Sequence, residues 1–430
     1  MKVLMFGWEF PPHISGGLGT ASYGLTKGLS RIRDVDVTFV VPKAYGDEDQ
    51  TSVKLLGAGD IQITKKKLHL KNFSKAMDYL EVKSNIVPYV DPEDFWRLSK
   101  KEVSGRYNFI QVNSEGKISF SGKYGPDLLT EIANYSVVAS VIAEESEFDL
   151  IHAHDWLAYP AGIAAKEVSG KPLVIHVHAT DFDRSGGKVN PDVYAIEKKG
   201  MDIADLIITV SNLTRDTVIN KYHINPAKVF TVYNAVEPLN ESVKAKYKKG
   251  TDEKIVTFLG RITFQKGPEY FILAASKILQ KMNNVRFVMA GSGDMMNKMI
   301  IMTARLGITN KFNFTGFLKG DDVYEMLRLS DVYIMPSISE PFGISPLEAL
   351  QSNVPVIISN QSGVAEILTH AIKTDYWDID AMADSIYGIL KYPALTKMFT
   401  KYGKKEVDDL SWENSALKVK EVYENALSLY

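Results

Sequence analysis

A chain of 430 residues is longer than one hydrophobic core usually fills, so two domains are expected. Its 45% hydrophobic and 24% charged residues suit an ordinary globular protein. A formal net charge of −2, without a long block of one sign, argues against nucleic acid or an acidic membrane as the main partner. Cysteine is absent, which excludes disulfides, thiolate-held metals and thiol nucleophiles.

The start, MKVLMFGWEFPP, has an apolar run that Gly7 and Pro11 interrupt, too short for a signal peptide. No stretch approaches the roughly 20 apolar residues that span a bilayer, so a cytoplasmic protein with no integral membrane segment is expected. Short apolar runs without alternation follow: 3–6, 37–41, 173–177, 206–210 and 229–233. Such runs suit parallel strands buried on both faces. Helical patterns lie between them, at 21–30 and 136–144 among others, which is the alternation of a doubly wound α/β sheet. Residues 45–130 are less regular and read as an insertion.

The same grammar restarts with apolar runs at 255–259, 285–290, 332–336 and 354–359. Helices are expected at 267–282, 294–306, 321–329 and 345–351. This divides the chain into a first domain at 1–236, a polar linker at 237–253 and a second domain at 254–411. An amphipathic helix at 412–430 is expected to pack back across the domains. Two such domains face each other over a cleft, and ligands bind at the carboxyl ends of the strands lining it.

The residues after the strands are therefore the informative ones. GWEFPPHISGGLGTASYGL (7–25) places Gly16, Gly17 and Gly19 before a helix. Glycines there let backbone N–H groups approach a diphosphate, although such turns also occur for structural reasons. In LGRITFQKG (259–267), Arg261 and Lys266 offer two cations that can converge on one anion; paired surface charges are the plainer alternative. HAHDW (152–156) and HVHATDFDRSGG (176–187) carry two His pairs at i, i+2 spacing, His152/His154 and His176/His178. Each pair shares a sheet face and can serve as core hydrogen-bonders, as sugar ligands or, less simply, as metal ligands. Asp155, Asp181, Asp183 and Arg184 lie just beyond. In SISEPFGISPLEAL (337–350), Ser345 as N-cap, Pro346 as N1 and Glu348 as N3 read as a capping box. Glu340 has no such structural duty and needs a ligand or cation. N–H groups across Phe342, Gly343, Ile344, Ser345 and Leu347 can receive hydroxyls and phosphate oxygens.

EPFGISPLE resembles the glutamate–seven residues–glutamate motif of retaining nucleotide-sugar glycosyltransferases with two Rossmann-like domains, the GT-B fold of glycosyltransferase family 4. LGRITFQKG, AGSGD (290–294), FTGFL (314–318) and AEIL (365–368) are similar to other marks of that group. HAHDW, HATDFDRSGG and WEFPPHISGGLG look like glycogen and starch synthases. The resemblance implies that Glu340 binds the donor sugar and stabilises charge at the reacting carbon, and that Glu348 holds the ribose. It implies that Arg261 and Lys266 bind the departing diphosphate, with Gly16 and Gly17 opposite. It further implies that His178 contacts the sugar, Asp155 lies on the acceptor side and Phe317 borders the base. Bacterial glycogen synthases carry lysine where this chain has Ile14.

The implied reaction moves glucose from ADP- or UDP-glucose to an α-glucan or another glycan acceptor, with neither cofactor nor metal. A relative acting on a lipid, protein or small glycoside is the main alternative. An epimerase or a non-catalytic glycan-binding subunit stands behind it.

Overall fold

The computed structural model describes residues 1–14, 16–63, 113–125, 127–239 and 247–430. Much of the expected insertion, residues 64–112, lies outside them, as does part of the expected linker, 240–246.

The first half forms a seven-stranded parallel sheet in the order β3-β2-β1-β4-β5-β6-β7. Its strands are β1 Lys2–Phe6, β2 Asp36–Val41, β3 Lys54–Gly57, β4 Leu150–His154, β5 Leu173–Val177, β6 Leu206–Thr209 and β7 Val229–Thr231. The second half forms a six-stranded parallel sheet, β10-β9-β8-β11-β12-β13. It comprises β8 Lys254–Leu259, β9 Val285–Ala290, β10 Phe312–Gly316, β11 Val332–Met335, β12 Val356–Ser359 and β13 Ile372–Thr374. The protein is thus α/β with two doubly wound sheets. In each sheet the chain runs outward from its first strand and then returns to that strand's other side. The crevices this leaves, between β1 and β4 and between β8 and β11, are where ligands bind in such sheets.

Both faces of the central strands are covered, which is why their sequences are apolar throughout. Leu4 and Phe6 pack into a core with the helices Leu128–Glu145 and Asp155–Ser169. Val3 and Met5 point the other way, into a core with the helices Gly17–Ser30 and Trp412–Leu427. The expected helices at 321–329 and 345–351 occur at those bounds. The others shift: Gly17–Ser30, Leu128–Glu145, Pro268–Leu279 and Met296–Arg305. Pro268 starts its helix because Gly267, at φ 62°, makes the turn that a proline can follow.

The last helix returns to the first sheet. Its buried face includes Trp412, Ala416, Val419, Val422 and Tyr423. A Cβ on Gly24 would sit 2.1 Å from the Trp412 ring, so a bare glycine surface is what admits the indole. Among the described residues, no helix is long and apolar enough to cross a membrane.

Candidate active site

A cavity of about 290 Å³ lies where the carboxyl ends of the two sheets face each other. From the first half it is lined by Glu9, Gly16, Gly17, Asp155, His178 and Arg184. The second half supplies Arg261, Lys266, Phe317, Glu340 and Glu348. Residues far apart in sequence meet here because most follow the strands at the two switch points, β1, β4, β8 and β11, while His178 and Arg184 follow β5 and Phe317 follows β10.

Glu340 is held from both sides. Its N–H donates to Gln361 O and its carbonyl accepts from Gly363 N, each at 2.9 Å. The preceding loop is zipped to the turn Phe264–Lys266: Ile338 N–H donates to Gln265 O at 2.9 Å, and Gln265 Nε2 donates to Ser339 O at 3.0 Å. The Glu340 side chain is 8% exposed and ion-paired with Lys266 Nζ, while Ser337 Oγ donates to it at 3.2 Å. The carboxylate that lacked a partner in the sequence thus has a cation. That cation, Lys266, is shared between Glu340 and any anion in the cavity. Gly343 adopts φ 98°, a conformation that favours glycine, and so closes the turn over Glu340.

The expected capping box is absent. Ile344 occupies the N-cap position of the Ser345–Gln351 helix without a side-chain cap, and the Ser345 hydroxyl pairs with Tyr333 Oη at 2.7 Å. A helix beginning one residue earlier carries Glu348 beyond reach of a capping role. Its carboxyl faces the cavity with no hydrogen-bond partner among the described residues, and burial pushes its pKa up to about 7. Leu347 also departs from expectation: its side chain is fully buried and its N–H donates to Ile344 O at 2.9 Å. Phe342 is a core residue that also borders the cavity. Gly343, Ile344 and Ser345 line it directly.

Arg261 stands on a braced turn. A Cβ on Gly291 would lie 1.8 Å from Gly260 O, so two loops touch backbone to backbone. Ile262 N–H donates to Ser292 O at 2.9 Å. Across the cleft, a Cβ on Gly16 would be 3.9 Å from Arg261 Nε, and one on Gly17 would meet nothing within 4 Å. The two glycines therefore expose backbone beside the guanidinium. Ile14 packs on Gly19. His13 turns away to Asp47, at 2.7 Å, and stacks on Tyr45. Among the described residues, the loop after β1 brings no cation into the cavity. Phe317, 50% exposed, forms another part of the wall.

On the first-half wall, Asp155 adopts φ 58°, strained backbone of the kind found at functional sites. Its carboxylate accepts from His178 N at 2.7 Å and Ala179 N at 3.3 Å. Asp155 thus fixes the turn that presents His178. Burial pushes its pKa up to about 6, against the pull of Arg184.

His178 Nε2 lies 2.9 Å from His154 Nδ1, and burial lowers its pKa to about 3. His152, His154, His176 and His178 form one buried stack, with neighbouring rings 4.3–5.5 Å apart. Ligand atoms of His152, His154 and His176 come within 4.8 Å of one another. The rings lie 13° to 34° from parallel. The stack lies in the core behind His178, with Tyr423 Oη 2.6 Å from His152 Nδ1.

The sequence reading missed Glu197. It lies within the Pro191–Ile203 helix, is 1% exposed and is paired with the Arg184 guanidinium. Burial pushes its pKa up to about 8. Glu9, Tyr124, Asn234 and Gln265 were also passed over as cavity residues. No spacing marks them, since only the folded chain brings them to the cleft.

The family model "Glycosyltransferase Family 4" matches residues 101–238. "Glycosyl transferases group 1" matches residues 240–406. An uncharacterized glycosyltransferase of Methanocaldococcus jannaschii is 28% identical, over 100% of this chain and 99% of its own. The glycogen synthase of Mycobacterium tuberculosis is 22% identical, over 98% of this chain and 94% of its own. HepE of Anabaena, solved in complex with UDP-glucose, superposes with a TM-score of 0.67 at 16% identity, covering 99% of this chain and all of that one. With a glycosyltransferase domain matched on each side of the cleft, the chain is a GT-B glycosyltransferase, a family 4 domain followed by a group 1 domain.

Proposed function

We propose that the protein transfers a hexose, glucose in the leading case, from a nucleoside diphosphate to a glycan hydroxyl with retention of configuration. The observation that carries this reading is the ion pair Glu340–Lys266 in one cavity with Arg261. A sugar diphosphate seated there would place its leaving group against two cations and its sugar against a carboxylate. The bond from C1 to the β-phosphate oxygen breaks, and its electrons go to the phosphate. The acceptor oxygen bonds C1 from the same face, and its proton passes to the leaving phosphate. Arg261 and Lys266 offset the charge that develops, and positioning supplies much of the rest. No metal is required in this scheme.

The M. tuberculosis relative supports an α-glucan acceptor and glucose as the sugar. Ile14 favours a second reading. With no cation from the loop after β1, this site differs from the synthase pattern, which fits a relative that uses another donor, or a lipid, protein or small glycoside acceptor. The protein incubated with UDP- or ADP-glucose and maltooligosaccharides should lengthen the oligosaccharide, with an α-linkage by NMR. Transfer only to non-glucan acceptors would select the second reading. Donor conversion without any acceptor would point to an epimerase instead.

Two predictions probe the donor pocket. Gly17→Leu should weaken UDP or ADP binding at least tenfold by calorimetry, because an isobutyl group would project into the open cavity. The melting temperature should stay within about 2 °C, since no neighbour is displaced. Unchanged binding would remove Gly17 from the site.

The second concerns Glu348. Ribose hydroxyls donating to its carboxylate would favour the ionised form and lower its pKa from about 7. The complex then holds fewer protons than the free protein. Nucleotide affinity should rise with pH from about 5 to 7, by up to about tenfold per unit, and level off above. Glu348→Gln should flatten that part of the slope, and the difference between the two proteins cancels the phosphate's own titration. Parallel slopes would exclude the ribose role.

A further inference from the structure

We infer that Asp183 and Ser339 form a clamp between the two halves that positions Glu340. Ser339 Oγ donates to Asp183 Oδ1 at 2.5 Å, and Ser339 immediately precedes Glu340. Asp183 is itself fixed: its Oδ2 accepts from Thr180 N and Thr180 Oγ1, both at 2.8 Å, in a capping box on the short helix Asp181–Ser185. The Asp183 carboxylate is therefore a rigid acceptor reaching across the cleft, and its 6% exposure shields the contact from competing water.

A second contact comes from the same helix. Gly186, just past its end, lies under Phe264, so close that an added Cβ would be 2.4 Å from the ring. Phe264 opens the turn that carries Lys266, and that turn is bonded to the Ser339 carbonyl through Gln265. One first-half helix thus bears on both loops that supply the Glu340–Lys266 pair. Each loop is braced within its own half and also meets the first half, at Asp183 for one and at Gly186 for the other. Joining the halves at Asp183–Ser339 locks the loop that carries Glu340 beside its lysine, which couples closure over the donor to the positioning of the charged pair.

This inference rests on the proposed role of Glu340, and the test separates the two. Ser339→Ala removes the donor while leaving the Thr180–Asp183 cap intact. We expect kcat to fall about tenfold with donor KM changed less than twofold, as for misplacement of a group that acts in the transition state. Ser339→Thr, which keeps the hydroxyl, should recover most of the loss. In parallel, the absence of cysteine makes Asp183→Cys with Ser339→Cys the only thiol pair in the chain. Dibromobimane, a short thiol-bridging reagent, should link the pair, and faster when UDP or ADP is present. Normal kcat in Ser339→Ala, loss unrelieved by Ser339→Thr, or thiols that bridge no faster with nucleotide would each overturn the clamp. If the wild-type protein transferred no glucose yet the double-cysteine variant showed nucleotide-accelerated bridging, the clamp would be supported and the proposed sugar chemistry would fall.

Discussion

Glu340→Gln should lower kcat by about 10²–10³-fold while the donor KM stays level or drops. The magnitude is that of removing one preorganised charge-stabilising group from a water-poor site. The direction of KM follows from the ion pair. In the free protein Lys266 is held by Glu340, so part of its attraction for a diphosphate is spent before the donor arrives. Glutamine has nearly the same volume and can still accept from Ser337 Oγ, but it releases the lysine to the phosphate. Ground-state binding therefore gains or holds while the transition state loses the carboxylate beside C1. Steady-state kinetics with the best donor from the activity screen checks this. A raised KM with normal kcat would mean that Glu340 only binds, and that the charge stabilisation comes from elsewhere.

What the sequence made legible, and what it hid, has a common physical cause. The strands β1, β2, β5 and β6 are buried on both faces and leave largely apolar runs, so their positions could be read directly; β4, LIHAH, is equally buried and was marked by its paired histidines. The strands not read from their own pattern, β3, β10 and β13, all lie at sheet edges. β10, Phe312–Gly316, alternates between buried and open positions along its length, and β13 has three residues; neither leaves a continuous signal. Glu340, Arg261 and Lys266 were legible because turns after strands carry few structural obligations, so charge there stands out. Glu348 was harder to place. Ser-Pro-Leu-Glu fits a capping box in sequence, but Tyr333, reached only in the folded sheet, takes the serine hydroxyl and leaves the helix to begin one residue earlier. Glu197 could not be recognised at all. It reads as an ordinary helix glutamate, and only tertiary packing sets it against Arg184, Asp181 and Tyr222.

The C-terminal helix carries the second large effect: Trp412→Ala should destabilise the first half by about 3–5 kcal/mol, the usual cost of emptying a large buried aromatic site. Trp412 is 5% exposed, and its ring fills the groove over Gly24 while its backbone carbonyl presses on Gly28. The surface directly beneath is Gly24 and Gly28, which carry no side chain to fill that space. The helix then continues over the sheet to Tyr423, which reaches His152 at the back of the histidine stack. Ser415 Oγ also donates to Tyr233 O at 2.7 Å. The hydroxyl of that tyrosine donates to Glu366, whose carboxylate accepts from Asn212 N and Leu213 N at the start of the Asn212–Tyr222 helix. A residue from the second sheet's side thus caps a helix of the first, next to where the last helix docks. Loosening Trp412 should therefore lower the first urea midpoint, and Gly24→Ala should do the same by driving a methyl into the indole. A Trp412→Ala protein with an unshifted midpoint would show that the helix merely rests on the first sheet and contributes nothing to holding it folded.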